Sequence, residues 1–310
     1  MRLKKRFRGA MLGLAAADAV GTTLEFMPPG TFEPITDMVG GGPFELNAGE
    51  WTDDTSMALC LAASLIECFA FDAQDQMERY VRWWREGYMS SNGRCFDIGN
   101  TVVAALRKFE KDPSNPFCGS TDPYTAGNGS IMRLAPVPLA FFNDPVNAVE
   151  KSAESSRTTH GATVAVDACR YMAAIIVGAL NGESKETLLS ANYGPEPGYW
   201  DKLPLCPEIA AIAAGSFKTS EPPEIKGTGY AAKALEAALW AFYKSDDFKT
   251  GCLLAANLGD DADTTAAIYG QIAGAYLGVD AIPEKWLAKV ADRAKIERLA
   301  DDLYEMSNGL

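Results

Sequence analysis

Histidine is almost absent from this 310-residue chain, which contains His160 alone. Zinc sites that need several histidines are therefore excluded. A Ser–His–Asp or Cys–His arrangement remains formally possible, but no nucleophile-elbow sequence supports it. A structural histidine at a helix start is the favoured interpretation, although Gly161 and the Thr-rich approach also suit a loop that faces a ligand.

Basic residues are outnumbered: 28 lysines and arginines face 41 aspartates and glutamates, which gives a formal net charge of -13. Nucleic acid is not expected as a partner, because phosphate binding needs a basic footprint. An acidic surface makes cations the natural partners instead.

Long apolar runs and paired cysteines are also lacking. No stretch of 18 apolar residues is free of charge, so no membrane span is predicted. The N-terminal MRLKKRFRGAMLGLAAADAVG looks like a signal peptide at first, but Asp18 interrupts it and its spacing favours an amphipathic helix. Seven scattered cysteines form no CxxC pair, which favours reduced thiols and a cytoplasmic location.

Alanine-rich segments with helical periodicity fill most of the chain, and no alternating strand series accompanies them. The sequence therefore predicts one all-α domain, a compact multi-helix bundle over residues 1–310, with its chemistry on long loops. The predicted helices are Phe7–Ala19, Thr55–Phe71, Gln74–Glu86, Asn100–Lys111, Pro145–Ser155, Ala162–Leu180, Tyr230–Lys244, Phe248–Asn257, Thr265–Leu277 and Pro283–Tyr304, the last of which could be two helices.

The stretch LGDDADTTAA places Asp260, Asp261 and Asp263 just before an apolar helix. Taken alone, it is slightly better explained by helix capping, since carboxylates suit the positive end of a helix dipole. One cap, however, needs one or two acids, and three packed together repel each other.

A second stretch of the same design shifts the balance. In WTDDTS, Thr52, Asp53, Asp54 and Thr55 again precede an apolar helix. If the fold brings the two stretches together, they form an all-oxygen cage that suits Mg²⁺, Mn²⁺ or Ca²⁺ and disfavours zinc. Four or five acids could neutralise two such ions.

Three further places have both a bland and a functional interpretation. The loop TAGNGSIMRLAPV could cradle phosphate with backbone N–H groups, although a plain tight turn is the commoner explanation. Glu25 could be a solvated surface acid or a catalytic carboxylate on a mobile loop. Asp97 and Asn100, in FDIGNT, could simply cap a helix.

Together these stretches, in this order along nearly the whole chain, resemble the ADP-ribosylglycohydrolase family, whose bacterial branch includes dinitrogenase-reductase-activating glycohydrolases. The resemblance rests on FRGAMLGLAAADAVGTTLEF, WTDDTSM, DIGNT, GNGSIMRLAPV, RTTHG, GTGYAAKALEAALWAF and NLGDDADTTAAIYGQIAGAYLG. It implies an all-α bundle with a cleft for two divalent metals, Mg²⁺ or Mn²⁺.

The resemblance also implies roles for individual residues. The metal ligands would be Thr52, Asp53, Asp54, Asp261, Asp263 and Thr264. Asp260 stands where many members carry glycine and is not expected to be a ligand. Glu25 and Asp97, with Asp261, would serve catalysis. The substrate would be held by Asn100, Thr125, Gly127, Asn128, Gly129, Ser130, His160, Gly229 and Tyr230.

The implied reaction is the removal of ADP-ribose from a modified protein. Metal binding would orient the distal ribose and polarise water, and Glu25 or Asp97 would assist proton transfer as water attacks the anomeric carbon. The resemblance of GDDADTT and DIGNT to the bacterial branch favours a bond to arginine, and an anionic pocket would also suit a guanidinium group. Serine-linked or other conjugates, a two-metal nucleotide phosphohydrolase and a non-catalytic ADP-ribose-binding module stay open as alternatives. A monomer is expected.

Overall fold

The computed structural model describes residues 2–309, which fold into helices and loops without a sheet. The predicted all-α class is confirmed. The helices in this part of the chain are α1 (Arg2–Gly21), α2 (Asp53–Cys68), α3 (Ala73–Glu86), α4 (Asn100–Lys111), α5 (Pro136–Ala140), α6 (Pro145–Thr159), α7 (Thr163–Asn181), α8 (Lys185–Leu188), α9 (Tyr199–Lys202), α10 (Pro207–Ala213), α11 (Ala231–Lys244), α12 (Phe248–Ala256), α13 (Ala262–Leu277), α14 (Glu284–Leu287) and α15 (Arg293–Ser307).

Helices α1 and α13 form the central pair of the bundle. They run antiparallel, and their backbones touch where glycines face each other. A Cβ on Gly13 would lie 2.4 Å from the carbonyl oxygen of Gly270, and a Cβ on Gly270 would lie 2.1 Å from that of Gly13. Any larger residue there would push the helices apart. This contact sets the end of α1 against the start of α13.

The other helices wrap this pair in two apolar clusters. The larger cluster surrounds α1, α7, α11 and α13, and includes Phe7, Trp51 and Trp286. A smaller one lies between α2, α3 and α4, around Tyr80, Trp83 and Phe109. The loops that are predicted to carry the chemistry therefore pack on two apolar clusters.

The predicted helices are found, with differences at their ends. Helix α1 begins at Arg2 rather than Phe7, and the segment Pro283–Tyr304 divides into α14 and α15. The short helices α5, α8, α9, α10 and α14 were not predicted separately, since four to seven residues show too little periodicity. Helices α2 and α13 begin at Asp53 and Ala262, so Asp53, Asp54 and Asp263 lie in first turns.

One helix, α7, is long and apolar enough to cross a bilayer by length and composition. Within the bundle, 83% of its most apolar window is buried against other helices. It also carries Asp167 and Arg170, which form an ion pair of 2.8 Å. A buried core helix satisfies the same test, so α7 is weak support for a membrane span.

Candidate active site

The two acidic stretches meet at one cavity of about 380 Å³. The chain segments that surround it are the end of α1, the starts of α2, α4 and α13, and the loops before α5 and α11. Its lining residues are Glu25, Phe26, Asp53, Asp97, Ile98, Gly99, Asn100, Thr101, Val102, Gly127, Asn128, Gly129, Met132, His160, Gly229, Asp261, Asp263 and Thr264. Among residues 2–309, this lining includes five carboxylates and no lysine or arginine.

The start of α2 is capped by a residue from another helix. Asp18, fully buried in α1, accepts the backbone N–H of Thr52 at 3.0 Å and that of Thr55 at 3.1 Å. It also accepts the hydroxyls of both threonines, at 3.0 and 2.6 Å. Since the α2 N–H groups have this partner, Asp53 and Asp54 are not needed as caps.

The start of α13 is capped in the same way from the loop after α1. Oε2 of Glu25 accepts the backbone N–H of Ala262 at 2.8 Å and that of Asp263 at 3.4 Å. Asp261, the residue before the helix, makes no capping hydrogen bond with its own side chain. Capping by the acids of the two stretches is therefore a minor part of the arrangement. Asp18 and Glu25 accept the first N–H groups of α2 and α13, and Oδ1 of Asp263 accepts the N–H of Thr264 at 2.6 Å.

The carboxylates gather in two groups that share one residue. Oxygens of Asp18, Asp54 and Asp263 lie within 4.8 Å of one another, and so do oxygens of Glu25, Asp261 and Asp263. Oδ1 of Asp54 and Oδ2 of Asp263 are buried without a hydrogen-bond partner in the described chain. Buried anionic oxygens without a donor are costly unless a cation meets them. The donor set, which consists only of carboxylate oxygens, would therefore suit hard divalent cations, and Asp263 belongs to both groups.

Burial and mutual repulsion raise the pKa values of the clustered carboxylates. Burial, and next the charge of Asp261, raise the pKa of Glu25 to about 8. Burial raises the pKa of Asp97 to about 7, and Asp18 and Asp261 add repulsion. The pKa values of Asp53, Asp54 and Asp263 also lie well above the ordinary range, because burial and neighbouring carboxylates disfavour their charge.

The glycine-rich loop forms the opposite wall of the cavity. Gly127 pairs with Tyr230 in a single antiparallel bridge, and the N–H of Asn128 donates to the carbonyl of Gly229 at 3.0 Å. The side-chain amide of Asn128 donates to Oδ2 of Asp261 at 3.0 Å. The loop and the acidic cluster are thus tied together directly.

The structure brings twelve of the sequence-predicted site residues to the cavity wall: Glu25, Asp53, Asp97, Asn100, Gly127, Asn128, Gly129, His160, Gly229, Asp261, Asp263 and Thr264. Thr52 and Asp54 lie beneath it, where the Thr52 hydroxyl contacts Asp18 and Asp54.

Three predicted substrate-binding residues do not line this cavity. Ser130 is buried, and its hydroxyl oxygen accepts from Ser156 at 2.9 Å. The Thr125 hydroxyl donates to the carbonyl of Asp122 at 2.7 Å. Tyr230 precedes α11 and forms a backbone bridge with Gly127 of the loop. A loop motif marks a segment, but it does not say which of its side chains turn inward.

Asp18 is the carboxylate of the cluster that was not predicted from the sequence, where it stands out only as an interruption of an apolar run. The cavity wall also includes Phe26, Ile98, Gly99, Thr101, Val102 and Met132, which were not predicted either. The signal for Asp18 was present: a single acid in LAAADAVG lies on a helix that the fold buries almost completely. A charge at such a position needs a partner.

Asp260 is exposed, and its backbone φ of 61° is left-handed. Its N–H and carbonyl pair with Met27 and Phe26, which joins the Glu25 loop to the start of α13. Aspartate tolerates this conformation, and glycine would adopt it without strain.

Comparison with known proteins gives concordant matches. The ADP-ribosylglycohydrolase family profile matches residues 1–309. The ADP-ribosylarginine hydrolase Tri1 of Serratia proteamaculans (strain 568) is 44% identical over 300 residues, which cover 97% of this chain and 79% of that protein. The protein of the same name from Pseudomonas putida (strain GB-1) is 46% identical over 300 residues, with coverages of 97% and 78%. A solved structure titled ADP-ribosylglycohydrolase-related protein complex superposes with a TM-score of 0.86 at 44% identity and covers 99% of both chains.

Proposed function

The chain belongs to the ADP-ribosylglycohydrolase family, and from this premise we propose that it hydrolyses the bond between ADP-ribose and an arginine side chain of a modified protein. The names of the two Tri1 relatives support the arginine linkage. The observation that carries the proposal is the shared carboxylate cluster, with buried oxygens of Asp54 and Asp263 that lack partners.

We propose that the cluster holds two divalent cations, Mg²⁺ or Mn²⁺. The residues that would hold them are Asp18, Asp54 and Asp263 on one side and Glu25, Asp261 and Asp263 on the other. Asp53 and Thr264 line the same wall, and Thr52 supports it. Bound ions would supply Lewis acidity toward ribose hydroxyls and water.

The chain's own carboxyls handle the proton. Glu25 and Asp97 face the cavity, and one of these carboxylates would accept a proton from the attacking water. Water attacks the anomeric carbon, and the electron pair of the breaking carbon–nitrogen bond goes to the arginine nitrogen. The carboxyl that took the proton from water returns it to this nitrogen, so that the free arginine side chain and ADP-ribose leave. The acid-rich wall favours the guanidinium of the departing arginine.

The loop Gly127–Gly129, with His160, holds the rest of the ligand. Two glycines let the ligand approach the backbone closely, and Asn128 fixes the loop relative to Asp261. This arrangement supports a diphosphate site at the loop, next to the carboxylates that would act on the sugar.

We also propose that the protein acts as a monomer in the cytoplasm. All seven cysteines are free thiols in residues 2–309, which suits a reducing compartment.

Hydrolysis of two matched substrates tests the proposal. An arginine-linked and a serine-linked mono-ADP-ribosylated protein are each incubated with Mg²⁺, Mn²⁺ or EDTA. Metal-dependent release of intact ADP-ribose from arginine, lost in Asp261→Asn, is expected. Release from serine alone would overturn the linkage, and release of inorganic phosphate would favour a nucleotide phosphohydrolase. ADP-ribose binding without turnover of either protein would favour a binding module.

A further inference from the structure

The buried Arg133 contacts the glycine-rich loop Gly127–Gly129 on the side away from the cavity. Arg133 is fully buried, yet the described residues provide no carboxylate within ion-pair distance of it. Its Nη1 donates to the carbonyl of Gly129 at 2.6 Å, and its Nη2 donates to the hydroxyl of Thr159 at 2.6 Å. Its guanidinium also lies 4.7 Å from the centre of the Tyr80 ring.

The hydroxyl of Thr159 has a second neighbour. Its oxygen lies 2.9 Å from Nδ1 of His160. Arginine can only donate, so the Thr159 oxygen accepts from Arg133. The one hydroxyl proton of Thr159 then has Nδ1 as its acceptor. If Nδ1 carried the proton instead, the hydroxyl would accept twice and its own proton would have no acceptor among these contacts.

The other edge of the imidazole faces the glycine-rich loop. A Cβ on Gly129 would lie 2.8 Å from Cε1 and 3.1 Å from Nε2 of His160, so only glycine permits this approach. His160 lines the cavity, and the hydrogen bonds found in residues 2–309 give Nε2 no protein partner.

We propose that Arg133 and Thr159 are positioning residues for His160. Arg133 donates to the Thr159 hydroxyl, which donates to Nδ1, and this fixes the neutral imidazole with its proton on Nε2. The Nε2–H then donates to an oxygen of ADP-ribose. The hydrogen bond from Arg133 to the Gly129 carbonyl also keeps that carbonyl pointing away from the ligand. The inference rests on the proposed function for the identity of the ligand.

Two further observations support it. Burial and the charge of Arg133 lower the pKa of His160 to about 3, so the ring is neutral over the working range of pH. Nε of Arg133 is buried without a partner, and a buried cation without a carboxylate is costly. An anionic diphosphate at the Gly127–Gly129 wall offsets that cost.

The single histidine makes the test direct, because every imidazole signal in the spectrum belongs to His160. The protein is labelled with isotope-enriched histidine, and the ring nitrogens are observed by NMR without ligand and with ADP-ribose. We expect one proton, on Nε2, and an Nδ1 that shows the signature of a hydrogen-bond acceptor. A proton on Nδ1 in the ligand-free protein would overturn the inference.

A matched pair of variants separates this role from simple packing. Thr159→Val keeps the branched shape and removes the hydroxyl, whereas Thr159→Ser keeps the hydroxyl. In Thr159→Val we expect Nδ1 to lose its acceptor signature and the Kd for ADP-ribose to rise about tenfold, as for the loss of one hydrogen bond near a charged ligand. Thr159→Ser should keep the wild-type spectrum and a Kd within about twofold of the wild type.

Unchanged spectra and affinity in Thr159→Val would contradict the proposal, and so would a Thr159→Ser protein that behaves like the valine variant while both remain folded by circular dichroism. Because the spectra and the ADP-ribose affinity need no modified protein, they stand even if the arginine linkage is wrong. A wild type that does not bind ADP-ribose would overturn the ligand assignment.

Discussion

The starts of α2 and α13 have similar sequences, but the carboxylates that cap them lie in different surroundings. Each has acids in its first turn, and each is capped by a carboxylate from outside its own segment. The α2 cap, Asp18, lies inside a helix and is fully buried. The α13 cap, Glu25, lies in a loop, next to Phe26, which is 63% exposed with a left-handed φ of 61°.

This difference suggests separate roles for the two sides of the carboxylate cluster. The α2 side forms a fixed floor, because Asp18 is held by four donors from Thr52 and Thr55. The α13 side supplies most of the carboxylates that line the cavity, namely Glu25, Asp261 and Asp263, beside Asp53 of α2. Substitutions in the floor should therefore affect folding most, and substitutions in the wall should affect turnover most.

The largest expected effect is at Asp263, which belongs to both carboxylate groups. Asp263→Asn should lower kcat/KM by more than about 100-fold, since even outer-shell partners of metals cost 10–100-fold. The same change removes a repelled buried charge, so the metal-free variant should gain on the order of 1 kcal/mol in its free energy of unfolding. Activity assays test the decrease in kcat/KM, and denaturant unfolding in EDTA tests the increase in the free energy of unfolding. A variant that is both less active and less stable without metal would break the account.

The floor is tested by Asp18→Asn. An amide nitrogen would face donors from Thr52 and Thr55, so we expect a loss of about 2–4 kcal/mol in the free energy of unfolding. Urea denaturation measures it, with the exposed Asp260→Asn as the matched control. Equal stability of the two variants would contradict the role of Asp18 as the α2 cap.

The sequence was informative where acids stand directly before apolar helices. The repeated pattern singles out Asp53, Asp54, Asp261 and Asp263, and the family resemblance implies their role as ligands. It could not show that Asp18 and Glu25 cap the two helices, since those contacts join residues 34 to 238 positions apart. It also could not show that the Ser130 hydroxyl is buried against Ser156 on α6, since the loop motif does not contain that contact. The all-α fold followed from periodicity, and the α1–α13 contact depended on distant glycines.

The metal-free protein should lose stability as the pH rises. The pKa values of Asp18, Asp97 and Glu25 are raised in the folded state to about 6, 7 and 8, from ordinary values of 3.8, 3.8 and 4.5. Between the ordinary and the raised pKa values, the folded chain therefore binds more protons than the unfolded chain. The free energy of unfolding is highest below this pH range and decreases as the pH rises through it. Thermal unfolding in EDTA across this range checks the slope. A slope that stays equally steep with excess Mg²⁺ would contradict charge neutralisation by metal.

The smallest effect is expected at Asp260. Asp260→Gly relieves a left-handed backbone at a position outside both carboxylate groups, so stability should change by less than about 1 kcal/mol. Turnover should stay close to that of the wild type. A large loss of activity would show that this acid takes part in the site.

Metal stoichiometry tests the central claim most directly. Titration of the metal-free protein with Mn²⁺, followed by calorimetry and by the spin-resonance signal of free Mn²⁺, counts the bound ions in the wild type, Asp54→Asn and Asp261→Asn. The account predicts two ions per chain in the wild type and loss of a different one in each variant. A wild type that binds one ion or none, or variants that leave the count unchanged, would contradict it.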